Sequence, residues 1–230
     1  MSATTFLLVH GAWHGPWCWD LLIPEIEARG HAAVAIQLPS CDPDAAALGG
    51  YQEDAEAVSA AAAAIDGHVV VLGHSYGGAV ISEATFDGRV RRLVFLCAFM
   101  PDSGQSYVSY LPPGGLPPYV GLREDGTSAV PAGLGRIHFY EDCSPDVTAW
   151  AESRLRPQSQ SVLDPTAGDA SWRSIPSTYI LCTLDQALPP DFQRIFAAQA
   201  DEVIEIESSH SPMLSRPGEL ADILVRLTGS

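Results

Sequence analysis

A chain of 230 residues, 47% hydrophobic and 17% charged, has the length of a single domain and enough apolar side chains for a large core. Its net charge is −16, and all 12 basic residues are Arg; phosphate contacts need clustered Lys and Arg, so this acidic balance argues against nucleic acid and anionic membranes as partners. The absence of lysine excludes Schiff-base chemistry, a P-loop lysine and a Ser-x-x-Lys site.

Residues 6–9 read as a buried strand that ends in His10-Gly11-Ala12-Trp13. The run is too short for a signal peptide and has no basic flank. No segment approaches a membrane span, so the cytoplasm is the expected location. A helix is expected over 16–28, with Leu21, Leu22 and Ile26 on one face and Gly30 just past its end. Residues 32–38 form a second strand, 40–50 a loop, and 51–65 an Ala-rich helix. The apolar run 69–72 is a third strand, and 90–99 a fourth.

The alternation then stops. Residues 101–171 carry Pro-Pro twice and Gly-Gly, with no strong strand signal. Their aromatic content (Tyr107, Tyr110, Tyr119, Phe139, Tyr140 and Trp150) is too high for a disordered linker. They read as a cap inserted into a core made of residues 1–100 and 172–230. Beyond it, strands are expected over 177–183 and 202–206, and helices over 190–199 and 217–227. Strands alternating with helices imply an α/β fold: a mainly parallel, doubly wound sheet covered on both faces. Five cysteines (Cys18, Cys41, Cys97, Cys143, Cys182) are scattered without C-x-x-C spacing, which argues against a disulfide framework or a zinc site; Cys97 and Cys182 lie in apolar runs and read as core.

The strand at 69–72 leads into Gly73-His74-Ser75-Tyr76-Gly77, and a helix is expected after it. Strand, G-x-S-x-G, helix is the context of a nucleophile elbow, in which glycines let the chain turn sharply and leave the serine hydroxyl exposed. A serine hydroxyl needs a base. In enzymes built on such an elbow the chain order is Ser, acid, His, which leaves His138 and His210 as bases. His138 falls in the irregular insertion, whereas His210 follows the last strand. Asp185 follows the penultimate strand and would accept the second ring N–H of His210. Asp191 is its rival, but it sits in the first turn of a helix, where an acidic side chain has a dipole role. Two backbone N–H groups should face the oxyanion, those of Tyr76 and Ala12. His14 reads as a loop-packing residue, Asp42 and Asp44 as loop residues, and Arg89, Arg91 and Arg92 as a solvated face. No metal-ligand spacing is present, and no cofactor is called for.

With His10-Gly11-Ala12-Trp13-His14-Gly15-Pro16-Trp17-Cys18-Trp19, Cys182-Thr183-Leu184-Asp185 and Ser209-His210-Ser211-Pro212-Met213-Leu214, the chain resembles the α/β-hydrolase superfamily. Within it, the chain is similar to the plant-type methylesterase and hydroxynitrile lyase group and its bacterial relatives. The match covers about two thirds of the chain and leaves the insertion unmatched. The resemblance implies a Ser75, Asp185, His210 triad with Ala12 and Tyr76 as oxyanion donors. The lyases of the group carry a lysine after the catalytic histidine and a threonine in the early loop. Here those positions are Ser211 and Gly11, which favours ester hydrolysis. Tyr76 replaces the leucine common in the plant esterases. The expectation is a serine esterase acting on a small or aromatic carboxylic ester, with a homodimer left open. Lyase cleavage of a cyanohydrin, a cofactor-free oxygenase and a non-turnover receptor on the same fold are the alternatives.

Overall fold

In the computed structural model, which describes residues 4–44, 47–112, 116–164 and 168–229, every apolar run of the sheet region becomes a strand. The strands are β1 (Thr4–Val9), β2 (Ala32–Ile36), β3 (His68–His74), β4 (Val90–Leu96), β8 (Ser177–Cys182) and β9 (Glu202–Ile206). They form one six-stranded sheet in the order β2-β1-β3-β4-β8-β9, with every pair parallel. Successive residues of a strand point to opposite faces, and here both faces are buried. Leu7, Val9, Val71 and Phe95 belong to one core. Phe6, Leu8, Leu72 and Leu96 belong to the other. That double burial is why the runs are continuously apolar rather than alternating.

Helices α2 (Tyr51–Ala64), α3 (Tyr76–Glu83) and α6 (Pro190–Ala197) cover the first face. Helices α1 (Leu22–Ala28) and α8 (Pro217–Arg226) cover the second, meeting through Leu22, Ile26, Leu220 and Leu224. Each such leucine, fully buried, contributes about 1.5–3 kcal/mol. The helix expected over 16–28 is broken. A 3₁₀ turn spans Pro16–Trp19, and α1 starts only at Leu22. Pro24 is the reason: a helix running through it would need an N–H to reach the Asp20 carbonyl, and proline has none. Leu21 is consequently 39% exposed instead of joining Leu22 and Ile26 in the core. No helix among the described residues is long and apolar enough to cross a membrane.

The segment between β4 and β8 has strands after all, but very short ones. β5 (Gly121–Leu122), β6 (Thr127–Ala129) and β7 (Gln158–Ser159) make a small antiparallel sheet. Gly126, at φ +78°, turns the chain between β5 and β6, and the Asp125 carboxylate accepts the Thr127 N–H at 3.0 Å. Helices α4 (Gly135–His138) and α5 (Pro145–Glu152) follow β6. The two ends of the segment are clipped together: the Trp172 indole donates to the Pro101 carbonyl at 2.9 Å, and Arg173 pairs with Asp102. Residues 45–46 of the expected 40–50 loop, and residues 113–115 and 165–167 of the insertion, lie outside the described residues. The last short helix, α7 (Pro212–Ser215), follows His210 directly.

Candidate active site

Three non-glycine residues among those described hold a positive φ: Trp13 (61°), Ser75 (54°) and Cys97 (37°). Each lies just past the carboxyl end of a strand, β1, β3 and β4 respectively. Such backbone costs about 1–3 kcal/mol per residue and persists only where surroundings impose it. At Ser75 the imposition is visible. Its N–H donates to the Leu96 carbonyl at 3.1 Å, and its own carbonyl accepts from Gly78 at 3.0 Å and Phe99 at 3.2 Å. A Cβ at Gly73 would stand 2.5 Å from the Gly77 carbonyl oxygen. A Cβ at Gly77 would stand 2.7 Å from the carbonyl oxygens of Val9 and His10. Only glycine lets β3 turn into α3 this tightly.

Asp185 is buried, and four donors satisfy its carboxylate. Oδ1 accepts from the N–H groups of Ala187 (2.8 Å) and Leu188 (2.9 Å). Oδ2 accepts from Gln193 Nε2 (3.1 Å) and from His210 Nδ1 (2.6 Å). A carboxylate on Nδ1 fixes the tautomer and leaves Nε2 as the ring nitrogen available to the cavity. Gln193 is itself fully buried and bonds Cys182 through both its oxygen and its nitrogen, so it locks the Asp185 loop to β8. Asp191, by contrast, is exposed and pairs with Arg194 one turn on.

The His210 carbonyl is also held. His74 Nε2–H donates to it at 2.8 Å, and the Cys97 thiol approaches it at 3.4 Å. Burial drives the His74 imidazole well below its ordinary pKa, so it braces the loop as a neutral ring.

The loop after β1 carries two more neutral histidines. His10 Nδ1–H donates to the Gly11 carbonyl at 2.9 Å, and His10 Nε2 accepts the Leu38 N–H at 3.1 Å. His14 Nδ1–H donates to the Ala12 carbonyl at 2.7 Å, and its Nε2 accepts from the Tyr140 hydroxyl at 2.8 Å. Burial lowers their pKa values to about 4 for His10 and about 3 for His14. The insertion grips the same loop: Trp13 Nε1 donates to Ser128 Oγ at 3.0 Å, and the Arg156 N–H donates to the Trp13 carbonyl at 2.9 Å. Tyr76 opens α3, so its N–H has no carbonyl one turn back to bond.

Ala12, Ser75, Tyr76 and His210 all line one cavity of about 70 Å³. Its remaining lining is mostly apolar and comes largely from the insertion, including Leu116, Tyr119, Phe139 and Val162, with Ser128 and Gln158 as polar members. A wider open groove of about 840 Å³ lies at the opposite edge of the sheet, beside Thr4, His68 and Val90. Open α/β sheets bind ligands at the carboxyl ends of their strands, which makes the smaller cavity the candidate site.

The site therefore gathers Ala12, Ser75, Tyr76, Asp185 and His210 from four separate places in the sequence. His138 stays apart, stacked on Tyr119 at 3.8 Å. Arg89 is exposed and pairs with Asp87. Arg92 departs from the expected solvated face, with a side chain only 12% exposed that bonds Thr178 and Glu202. Sequence reasoning missed three residues: Gln193, the hydrogen-bonding role of His14, and Asp54, a fully buried carboxylate on α2. Asp54 is masked by the strongly alanine-rich helix around it. Gln193 could have been suspected as a polar residue on the buried face of α6.

Comparison with known proteins agrees with this architecture. The pattern of the alpha/beta hydrolase family matches residues 6–223. Salicylic acid-binding protein 2 of Nicotiana tabacum is 32% identical, over 96% of this chain and 96% of that protein. Esterase PIR7B of Oryza sativa subsp. japonica is 30% identical, over 98% and 96%. The crystal structure of a pyrethroid hydrolase from Sphingobium faniae superposes with a TM-score of 0.86 at 25% identity, covering 100% of this chain and 98% of that one. The chain belongs to the alpha/beta hydrolase family, and these relatives support a hydrolase.

Proposed function

We propose that the protein is a cofactor-independent serine esterase that works through an acyl-enzyme. The observation that carries this reading is the convergence of Ser75, on a strained turn, and the buried Asp185–His210 pair on one cavity. Ser75 Oγ attacks the ester carbonyl carbon as His210 Nε2 takes its proton. The oxyanion that forms is met by the backbone N–H groups of Ala12 and Tyr76. His210 then returns the proton to the departing alcohol. A water molecule, deprotonated by His210, attacks the acyl carbon and releases the acid and Ser75. Asp185 keeps His210 in the required tautomer throughout and stabilises the imidazolium.

Residues 101–171 act as a cap that closes the site. The cavity beneath them is narrow, about 70 Å³, and among the described residues no charged side chain lines it. Its apolar, aromatic walls favour a small or aromatic neutral ester. The relative named esterase supports hydrolysis of an ester, and the absence of lysine leaves a lyase without a cationic partner for cyanide.

The test is hydrolysis of p-nitrophenyl acetate by the wild type, Ser75→Ala and His210→Ala. Both variants should lose at least a thousandfold in kcat. Full activity in Ser75→Ala would overturn the mechanism. The name of the Nicotiana relative, a salicylic acid-binding protein, supports a second reading, a receptor for a small aromatic acid. Micromolar binding of salicylate with negligible turnover of any ester would favour it.

A further inference from the structure

Asp54 is the least expected charge in the protein. It sits on α2, is completely buried, and has no cation among its hydrogen-bond partners. Its Oδ1 accepts the Ser40 N–H at 2.8 Å. Its Oδ2 accepts the Ser40 hydroxyl at 2.6 Å and the Tyr76 hydroxyl at 2.7 Å. Ser40 Oγ in turn accepts from Gln158 Nε2 at 3.0 Å. Gln158 belongs to the insertion, and both Gln158 and Tyr76 line the cavity. A buried carboxylate is costly, and it is retained only where donors satisfy it.

What the carboxylate holds is the residue after Ser75. The Tyr76 ring is wedged between Tyr51, at 6.1 Å, and Tyr107, at 5.5 Å. The rings of Tyr51 and Tyr107 pack against it, and the bond to Asp54 ties the end of the side chain to α2. The backbone of the same residue carries the N–H that the esterase reading assigns to the oxyanion.

We propose that Asp54 is a positioning residue: acting through the Tyr76 hydroxyl, it aims the Tyr76 backbone N–H at the developing oxyanion. This rests on the esterase reading above and adds a residue to it. Burial pushes the Asp54 carboxyl up to about 6, while the bonds from Ser40 and Tyr76 oppose that rise and favour the ionised, accepting form. Tyr76→Phe and Asp54→Asn therefore remove the same link from its two ends.

The experiment measures the rate at which a fluorophosphonate probe labels Ser75, which needs no knowledge of the natural ester. Labelling expels fluoride, sends the Ser75 proton to His210, and places negative charge on the phosphoryl oxygen in the same donor pair. Losing one such donor outright costs about 100- to 1000-fold, so a misaimed one should cost about tenfold. Asp54→Asn and Tyr76→Phe should each slow labelling by about tenfold, and the double variant should be no slower than twofold below either single one. Affinity for acetate, the product acid of p-nitrophenyl acetate, should stay within twofold. Multiplying losses in the double variant, or a product affinity that falls in parallel, would mean a merely structural role and overturn the proposal. Wild-type speed in Asp54→Asn overturns it while leaving the esterase reading intact. A wild type that does not label at Ser75 overturns both.

Discussion

At the floor of the cavity, Ala12, Ser75 and His210, with Asp185 behind His210, sit on turns that leave parallel strands, and backbone carbonyls and buried side chains hold each turn. At its roof, Leu116, Tyr119 and Phe139 sit on a segment whose strands are two or three residues long. Rings rather than ladders hold the roof: Tyr119 lies on His138, and Phe139 lies against Trp13 and His210. The floor is over-determined, so small changes there should be felt as lost structure. The roof is held by side chains that can repack, so changes there should be felt as altered selectivity.

Gly77→Ala should show the largest effect. The new Cβ would stand 2.7 Å from the backbone oxygens of Val9 and His10, which cannot move without breaking β1. A penalty of about 3 kcal/mol should lower the melting temperature by about 10 °C. Calorimetry checks this, and an unchanged midpoint would break the view of the floor as rigid.

Acid should act on the floor next. The unfolded chain protonates histidine near about pH 6.5. Folded His10 and His14 resist until about pH 4 and about pH 3, and His74 is held lower than ordinary as well. Their pKa values are depressed on folding, so the unfolded state binds more protons in that window. The stability they contribute is complete above about pH 6.5 and is lost as pH falls toward about 4. Asp54 works in the opposite sense, since its raised value favours protonation of the folded state below about 6, but it is one group against three. The melting temperature should drop steadily between about pH 6.5 and pH 4, and a level profile there would contradict the assignment of neutral buried rings.

A smaller loss is expected from Gln193→Leu. Asp185 would lose one of its donors, and the Cys182 N–H would lose its acceptor. About 2 kcal/mol of stability and about tenfold in kcat should go. Urea unfolding and steady-state kinetics measure the two separately. Leu116→Ala at the roof should cost least. It should move the melting temperature by no more than about 2 °C while changing KM for bulky aromatic esters about threefold. A large stability loss there would erase the contrast between roof and floor.

The same contrast runs through what could be read in advance. Residues 69–77 announce their structure locally, because a short apolar run, two glycines and a serine meet steric demands within one turn of chain. The order of Ser75, Asp185 and His210 then picks out strand ends without any knowledge of distances. Pro24, whose effect on the helix over 16–28 was equally local, was readable but overlooked. In the insertion, Asp125-Gly126 marked a hairpin whose flanking strands are too short to carry a two-residue period.

Sequence alone thus determined the parallel sheet and its breaks, the turn at Ser75, and the residues that lie at the ends of strands. Those depend on periodicity, on missing Cβ atoms and on chain order, all of which a linear string records. Tertiary structure alone decided that Asp54 is buried beneath Tyr76, that His14 braces Ala12 against Tyr140, and that Gln193 holds Asp185. These are the bonds of polar groups sealed from water. The partner of His14 lies 126 positions away in the chain and that of Asp54 lies 22 away, beyond the reach of any local pattern. Only when the sheet and the insertion close on one another does the Tyr140 hydroxyl meet His14 and the Trp13 indole meet Ser128.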